Sequence, residues 1–305
     1  MPPTTNAHLH LELTGLAHLC PSEPISFFSW IRNLVWQKQW QSKTQIRAGI
    51  EKGIVALESY GTTHIGDISS TGLSVDLLLN SRLKGVVYLE ILGLNEKNVL
   101  NLLERKKEEI NRIRRRPRYG DLQVGLSLHA PYSCHSRLLR EASQWCRQEE
   151  VPLCLHAAES PEEIEYLTEG KIPGRSWDLR LFGKVFGFGI RSIPGMRTIP
   201  YLASLGVLEA RPLLVHAVQV NEKEIKMIAE TGCAVVHCPR SNMLLSCGRM
   251  PLERYLEANV PVLLGTDSLA SSPSLDIRQE VAFAQKLHIG RVDGRVIENL
   301  VHRII

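Results

Sequence analysis

The sequence predicts an α/β protein built as a (β/α)8 TIM barrel, a single domain over residues 1–305. Short apolar runs bounded by turn residues recur eight times, as expected of parallel strands buried on both faces. Amphipathic stretches with helical spacing separate them. Several runs also close on a side chain able to bind metal, at the strand ends where barrels gather their active sites. A doubly wound open sheet shows the same alternation. It gives no reason for the first, fifth, sixth and eighth strand ends to meet, whereas barrel closure brings strand eight beside strand one.

The first run centres on Ala7 and ends in His8-Leu9-His10. Residues 25–59 follow as an amphipathic segment, with Phe28, Ile31, Leu34 and Val35, then Ile46, Ile50, Ile54 and Leu57, at helical spacing. The second run centres on Ile65 within 61–67 and the third on Val87 within 85–91. A helix is expected from about Asn95 to 113, closed by Arg112, Arg114, Arg115, Arg116 and Arg118. Cations complement a helix C-terminus, so this cluster reads as a solvated helix end rather than a binding patch. The fourth run is 124–129, with a helix over 136–149, and the fifth is 153–156. Residues 170–200 are irregular, rich in glycine and in the aromatics Trp177, Phe182, Phe186 and Phe188. They read either as a cover over substrate or as a packed surface loop. The sixth run is Leu213–His216, followed by a helix over 221–231 with Asn221 as N-cap and Gly232 as stop. The seventh is Ala234–His237, with a helix over 250–259; the eighth is 262–265, with a helix over 275–287.

Composition narrows the function. Hydrophobic residues at 44% and charged residues at 22% describe a soluble globular protein, and a net charge of +4 argues against nucleic acid as partner. No apolar run approaches the ~18 residues of a membrane span and no secretory leader precedes the first strand, so no membrane association is expected. The seven cysteines include no Cys-x-x-Cys pair, which fits a reducing compartment and a cytoplasmic protein.

Strand alternation places His8 and His10 on one face. With His156 and Asp267 at other strand ends, a barrel surrounds one point with three neutral nitrogens and a carboxylate. That set suits one divalent ion, Zn²⁺ first and Fe²⁺ second, with room for a water whose pKa falls toward about 7. Glu159, three residues after His156, can stand beside such an ion without binding it and carry protons as a general acid–base. The competing reading makes it only an acidic helix-start residue. His216 can donate to, or accept from, the attacking water.

The segments Asn6-Ala-His-Leu-His-Leu-Glu-Leu13, His129-Ala-Pro-Tyr-Ser133, His156-Ala-Ala-Glu159, Val215-His-Ala217, His237-Cys-Pro-Arg-Ser-Asn242 and Gly265-Thr-Asp-Ser268 together resemble the amidohydrolase superfamily. Within it they are most similar to the cytosine deaminase-like and chlorohydrolase-like branch. The resemblance runs from residue 5 to about residue 288. It implies a mononuclear site with His8, His10, His156 and Asp267 as ligands. Glu159 and His216, with Asp267 orienting the water, become the catalytic groups, and His129 and His237 lie near the substrate. Family members add a small β-sandwich, so the expectation here is a barrel lacking it, either natural or cut from a longer chain. The implied activity is hydrolytic deamination of an amino-substituted nitrogen heterocycle, such as an adenosine derivative or aminodeoxyfutalosine. Displacement of chloride or alkylamine from a triazine is the alternative on the same site, and a non-catalytic binding barrel is the alternative outside enzymes. The implied partner is a small heterocyclic substrate, with a homo-oligomer left open and neither nucleic acid nor membrane.

Overall fold

The computed structural model describes residues 3–116, 121–170 and 194–304. Eight strands follow one another around the fold: β1 Thr5–Leu9, β2 His64–Ser69, β3 Lys84–Ile91, β4 Leu122–Leu128, β5 Leu153–Ala157, β6 Leu213–His216, β7 Ala234–His237 and β8 Val262–Leu264. Every neighbouring pair from β1 to β8 is parallel and hydrogen-bonded in sequence order. The result is the expected barrel, closed at the β8–β1 seam by specific bonds rather than a regular ladder. Asp267 N–H donates to His8 O at 3.0 Å, Thr266 N–H to Asn6 Oδ1 at 3.0 Å, and Asn6 Nδ2 to Thr266 Oγ1 at 2.8 Å. Gly265 permits the approach, since a Cβ there would stand 2.9 Å from His8 Cβ, N and O.

Alternation along the strands divides the apolar side chains into two layers. Ile68, Val86, Tyr88, Cys154, Val215, Val236 and Leu263 fill the barrel interior. Ile65, Val87, Leu89, Leu126, Leu155, Leu214, Val235 and Leu264 face the surrounding helices. Two places break this parity, and both serve the site. On β1 the register slips between Asn6 and Leu9, a bulge that re-aims the backbone around His8. At the end of β6, His216 has a φ of 71°, which turns its side chain away from the helix-facing side it would share with Leu214.

The helices keep to the predicted segments with local differences. Residues 25–59 form two helices, Phe27–Lys38 and Lys43–Ser59. Ser42 and Gln45 make a capping box that restarts the second. Glu96–Arg114 starts at the N-cap Asn95, as expected; Arg116 beyond its end pairs with Asp76, and Arg118 lies outside the described residues. Ser136–Gln148, Glu222–Thr231, Leu252–Glu257 and Ile277–Leu287 match the other predicted helices. Asn221 and Gly232 cap Glu222–Thr231 as predicted. A 3-10 helix Leu11–Leu19 and the short helices Leu73–Leu79, Pro161–Glu169, Thr198–Ser204, Pro239–Leu244 and Gly294–Asn299 have no counterpart in the sequence reading. Of the irregular stretch 170–200, read either as a cover over substrate or as a packed surface loop, residues 171–193 lie outside the described residues, and its last three open the helix Thr198–Ser204. Among the described residues, no helix is long and apolar enough to cross a membrane.

Candidate active site

At the C-terminal ends of the strands, His8, His10 and His156 bring ligand nitrogens within 4.8 Å of one another. His8 lies inside β1. His10 lies one residue past it, at the start of the 3-10 helix, so the pair converges through the strand end rather than through strand alternation alone. Asp267 Oδ1 stands 3.5 Å from His8 Nε2 and 3.6 Å from His10 Nε2. Both nitrogens of the fully buried His8 lack a hydrogen-bond partner. A buried imidazole without partners is costly unless something else engages it, and a divalent cation does so.

The protonation states and orientations fit a cation. Burial, with the neighbouring His8, lowers His10 to about 3, and burial holds His156 well below the ordinary histidine range. Both rings are therefore neutral ligands. His156 Nδ1 lies 2.8 Å from His129 O, which fixes its proton there and frees Nε2. Burial would raise the Asp267 carboxyl, but His8, His10 and His216 outweigh it and hold the group ionised. Ser241 and Ser271 hydroxyls donate to Asp267 Oδ2 at 2.6 and 2.8 Å, while Oδ1 accepts the Ser268 N–H at 2.8 Å and faces the imidazoles.

Facing this group, His216 Nε2 lies 3.3 Å from Glu159 Oε1, and both side chains are buried. Burial lowers His216 to about 4 and, aided by Asp267, raises Glu159 well above the ordinary carboxyl range. Glu159 is not a first-turn helix residue, because the helix Pro161–Glu169 begins after the N-cap Ser160. One cavity of about 300 Å³ receives His10, His156, Glu159, His216, Asp267 and His129. Its further wall is apolar, with Phe27, Trp30, Ile31, Leu34 and Val35, and carries Glu90 and Lys38 as charged groups. His129 Nδ1 lies 2.6 Å from the Ser133 hydroxyl, which itself donates to Ala130 O, so the ring's other nitrogen is free for the cavity.

The structure thus brings together seven of the eight residues singled out in the sequence. His237 stands apart. It shares the parity of Val235, points to the helix side, and meets His288 at 3.1 Å rather than lining the cavity. Four contributors escaped the sequence reading. Glu163 binds the backbone of the Glu159 turn, and the spacing Ser160-x-x-Glu163 was its signal. Ser241 and Asn242 sat inside a quoted motif without a role, and Glu90 lies one residue before the end of the third strand run without one.

A description of the amidohydrolase family matches residues 1–298. The chain belongs to the amidohydrolase family. An aminodeoxyfutalosine deaminase of Deinococcus radiodurans is 36% identical over 302 residues, covering 97% of this chain and 70% of that protein. A 5-methylthioadenosine/S-adenosylhomocysteine deaminase of Pyrococcus furiosus is 27% identical, covering 94% of this chain and 63% of that protein. The amidohydrolase fold is shared with the crystal structure of Helicobacter pylori aminofutalosine deaminase in complex with methylthio-coformycin. That comparison gives a TM-score of 0.82 at 24% identity over 98% of this chain and 71% of that one. It is also shared with a zinc-bound atrazine chlorohydrolase of Arthrobacter aurescens, at TM-score 0.80 and 16% identity over 99% of this chain and 69% of that one. Amidohydrolases are metal-dependent hydrolases of carbon–nitrogen bonds, and the donor set above suits that chemistry.

Proposed function

We propose that this chain is a metal-dependent aminohydrolase that replaces the amino group of an adenosine-like heterocycle with oxygen and releases ammonia. The observation that carries the reading is the 3.3 Å approach of His216 Nε2 to Glu159 Oε1 beside the His8, His10, His156 and Asp267 group. Zinc is the ion proposed for these four ligands, with iron(II) second; such an ion supplies an activated water at neutral pH. Burial raises the Glu159 carboxyl well above its ordinary range, which suits a group that must both hold and release a proton. Glu159 protonates the ring nitrogen beside the carbon under attack, takes up the proton of the incoming water, and delivers it to the departing amine. Water oxygen bonds to the ring carbon, the carbon–nitrogen bond breaks and ammonia leaves, and the second proton of that water returns to Glu159 as the new carbon–oxygen bond becomes a carbonyl. Asp267 and His216 orient the water, and His129 presents its free nitrogen to the heterocycle.

The further wall supports a nucleoside-like molecule. Burial would raise Glu90, but His129 and Lys38 outweigh it, so an ionised acceptor faces the cavity and suits sugar hydroxyls. Phe27, Trp30, Ile31 and Leu34 suit an apolar substituent. The activities named for the relatives, on aminodeoxyfutalosine and on 5-methylthioadenosine or S-adenosylhomocysteine, favour amine release over displacement of chloride. All seven cysteines are free and six are buried, which supports a reducing, cytoplasmic setting.

The test is ammonia release by the purified, zinc-loaded protein. The panel is aminodeoxyfutalosine, 5-methylthioadenosine, S-adenosylhomocysteine, guanine, cytosine and chlorotriazines. Turnover of one of the three adenosine-like compounds is expected. Release of chloride alone, or no turnover of any compound, overturns the reading.

A further inference from the structure

Behind His216, on the side away from the cavity, four side chains form a hydrogen-bonded file that the chemistry above does not use. Asn242 places Oδ1 2.8 Å from His216 Nδ1 and Nδ2 3.4 Å from His237 Nδ1. His237 Nε2 lies 3.1 Å from His288 Nε2, and His288 Nδ1 lies 3.1 Å from Arg249 Nη1. Glu253 anchors Arg249 through two bonds of 2.7 Å. Asn242, His237 and His288 have no solvent exposure, so every donor among them needs an acceptor within the file.

The direction of the file follows from the one member with no choice. A guanidinium only donates, so His288 Nδ1 must accept. Burial holds His288 to about 4 and His237 well below the ordinary histidine range, so each ring carries a single proton. His288 therefore bears its proton on Nε2 and donates it to His237 Nε2. His237 keeps its proton on Nδ1 and donates to the Asn242 amide, which must offer its oxygen on that side. The amide nitrogen then faces His216 Nδ1 and donates to it. His216 is left with its proton on Nε2, the atom 3.3 Å from Glu159 Oε1.

The two ends of an asparagine amide are nearly equal in shape, so the hydrogen-bond file decides which end faces which histidine. With oxygen toward His216, every bond reverses. The reversed file ends with a His288 Nδ1–H aimed at an Arg249 N–H, two donors 3.1 Å apart. A half-turn of the amide removes that conflict and gives every contact in the file one donor and one acceptor.

We propose that Arg249, acting through His288, His237 and Asn242, fixes His216 as the tautomer protonated on Nε2. His216 is then a hydrogen-bond donor into the site and not a base, and proton uptake falls to Glu159. The four residues of the file are positioning residues, and His237 acts from the helix side instead of touching the substrate. Only the consequence for turnover rests on the proposed function; the tautomer does not.

The test reads the tautomer first. Nitrogen-15 NMR of the zinc-loaded full chain, labelled at histidine, distinguishes protonated from bare ring nitrogens. His216 is assigned by its loss in His216→Asn. A protonated Nε2 and a bare Nδ1 are expected for His216, and the reverse pattern in the parent protein overturns the proposal whether or not a substrate is known. Asn242→Asp supplies an acceptor-only carboxylate, so His216 should switch to Nδ1–H. Arg249→Met removes the obligate donor, while Arg249→Lys keeps one. With a substrate from the ammonia screen, Arg249→Met should lower kcat roughly tenfold at unchanged KM and metal content, the scale of outer-shell effects at such sites. Arg249→Lys should restore both kcat and the parent spectrum. Parent-like kcat and an unaltered His216 signal in Arg249→Met would reduce the file to packing.

Discussion

Glu163 accepts the backbone N–H of Glu159 at 2.9 Å through Oε2 and, through Oε1, that of the neighbouring Ala158 at 2.9 Å. Ala158 is held at a φ of 50°, a left-handed conformation costly for a residue with a Cβ. One buried carboxylate thus offsets a strained turn between the strand that carries His156 and the cavity-facing Glu159. Thr198 donates a third bond to it at 2.6 Å, and these donors keep it an acceptor although burial raises its carboxyl.

Glu163→Gln is expected to loosen that turn. The amide offers one acceptor where two backbone N–H groups need two, and a buried donor left facing another donor costs ~1–3 kcal/mol. Urea denaturation should show a loss of that order, and kcat should fall with metal content unchanged. A variant as stable and as active as the parent would mean that the turn holds itself.

His8→Ala should remove most of the bound divalent ion. His8 is fully buried, neither of its nitrogens has another partner, and its Nε2 stands 3.5 Å from Asp267 Oδ1, against 3.6 Å for that of His10. Elemental analysis after loading with zinc and desalting gives the readout. Parent-like metal in the variant would place the ion elsewhere.

Most of the barrel was legible because its strands are buried on both faces and therefore read as continuous apolar runs. His156, Asp267 and Glu159 were legible because such groups at the ends of apolar runs have no packing role. Other features depend on geometry that residue type does not report. His216 reaches the site through a positive φ on a residue other than glycine, which no spacing rule anticipates. Gly265 reads as a turn residue, yet its task is to let β8 touch His8. His237 lies on the parity of Val235, so strand alternation points it toward the helices, whereas the family resemblance associates it with the substrate. The missed helices are mostly one or two turns long, too short for a 3.6-residue period to stand out.

Asp67 gives a pH dependence with a definite sign. Burial pushes its carboxyl from an ordinary value near 3.8 up to about 7, against the pull of the Leu11 N–H bond at 2.9 Å. Below pH 3.8 folded and unfolded forms are both protonated, and the group is neutral in the balance. As pH rises toward 7 the unfolded chain ionises first, so stability is lost through that window, on the order of 4 kcal/mol in all. Asp67→Asn keeps the acceptor for Leu11 and removes the titration. Its stability relative to the parent, measured by urea denaturation of chelator-treated protein, should therefore be greater at pH 8 than at pH 5. An equal difference at the two pH values would show that Asp67 ionises normally in the fold.

Glu159→Gln separates proton transfer from every other property of the site. The amide preserves side-chain size and can still meet His216 Nε2, now 3.3 Å from Glu159 Oε1. The ligand residues His8, His10, His156 and Asp267 are untouched, so metal content should hold at the parent level. Turnover should fall by ~10²–10⁴, the usual loss for one general acid–base group. The neighbouring carboxylates are already engaged. Glu163 is bound to the backbone and Thr198, and Asp267 to Ser241, Ser268, Ser271 and the imidazole group. Glu90, on the further wall, is held ionised beside His129 and Lys38. If a metal-loaded Gln variant kept the parent rate on a verified substrate, no buried carboxyl in the cavity would be left to carry the proton, and the aminohydrolase mechanism would have to be abandoned for this site.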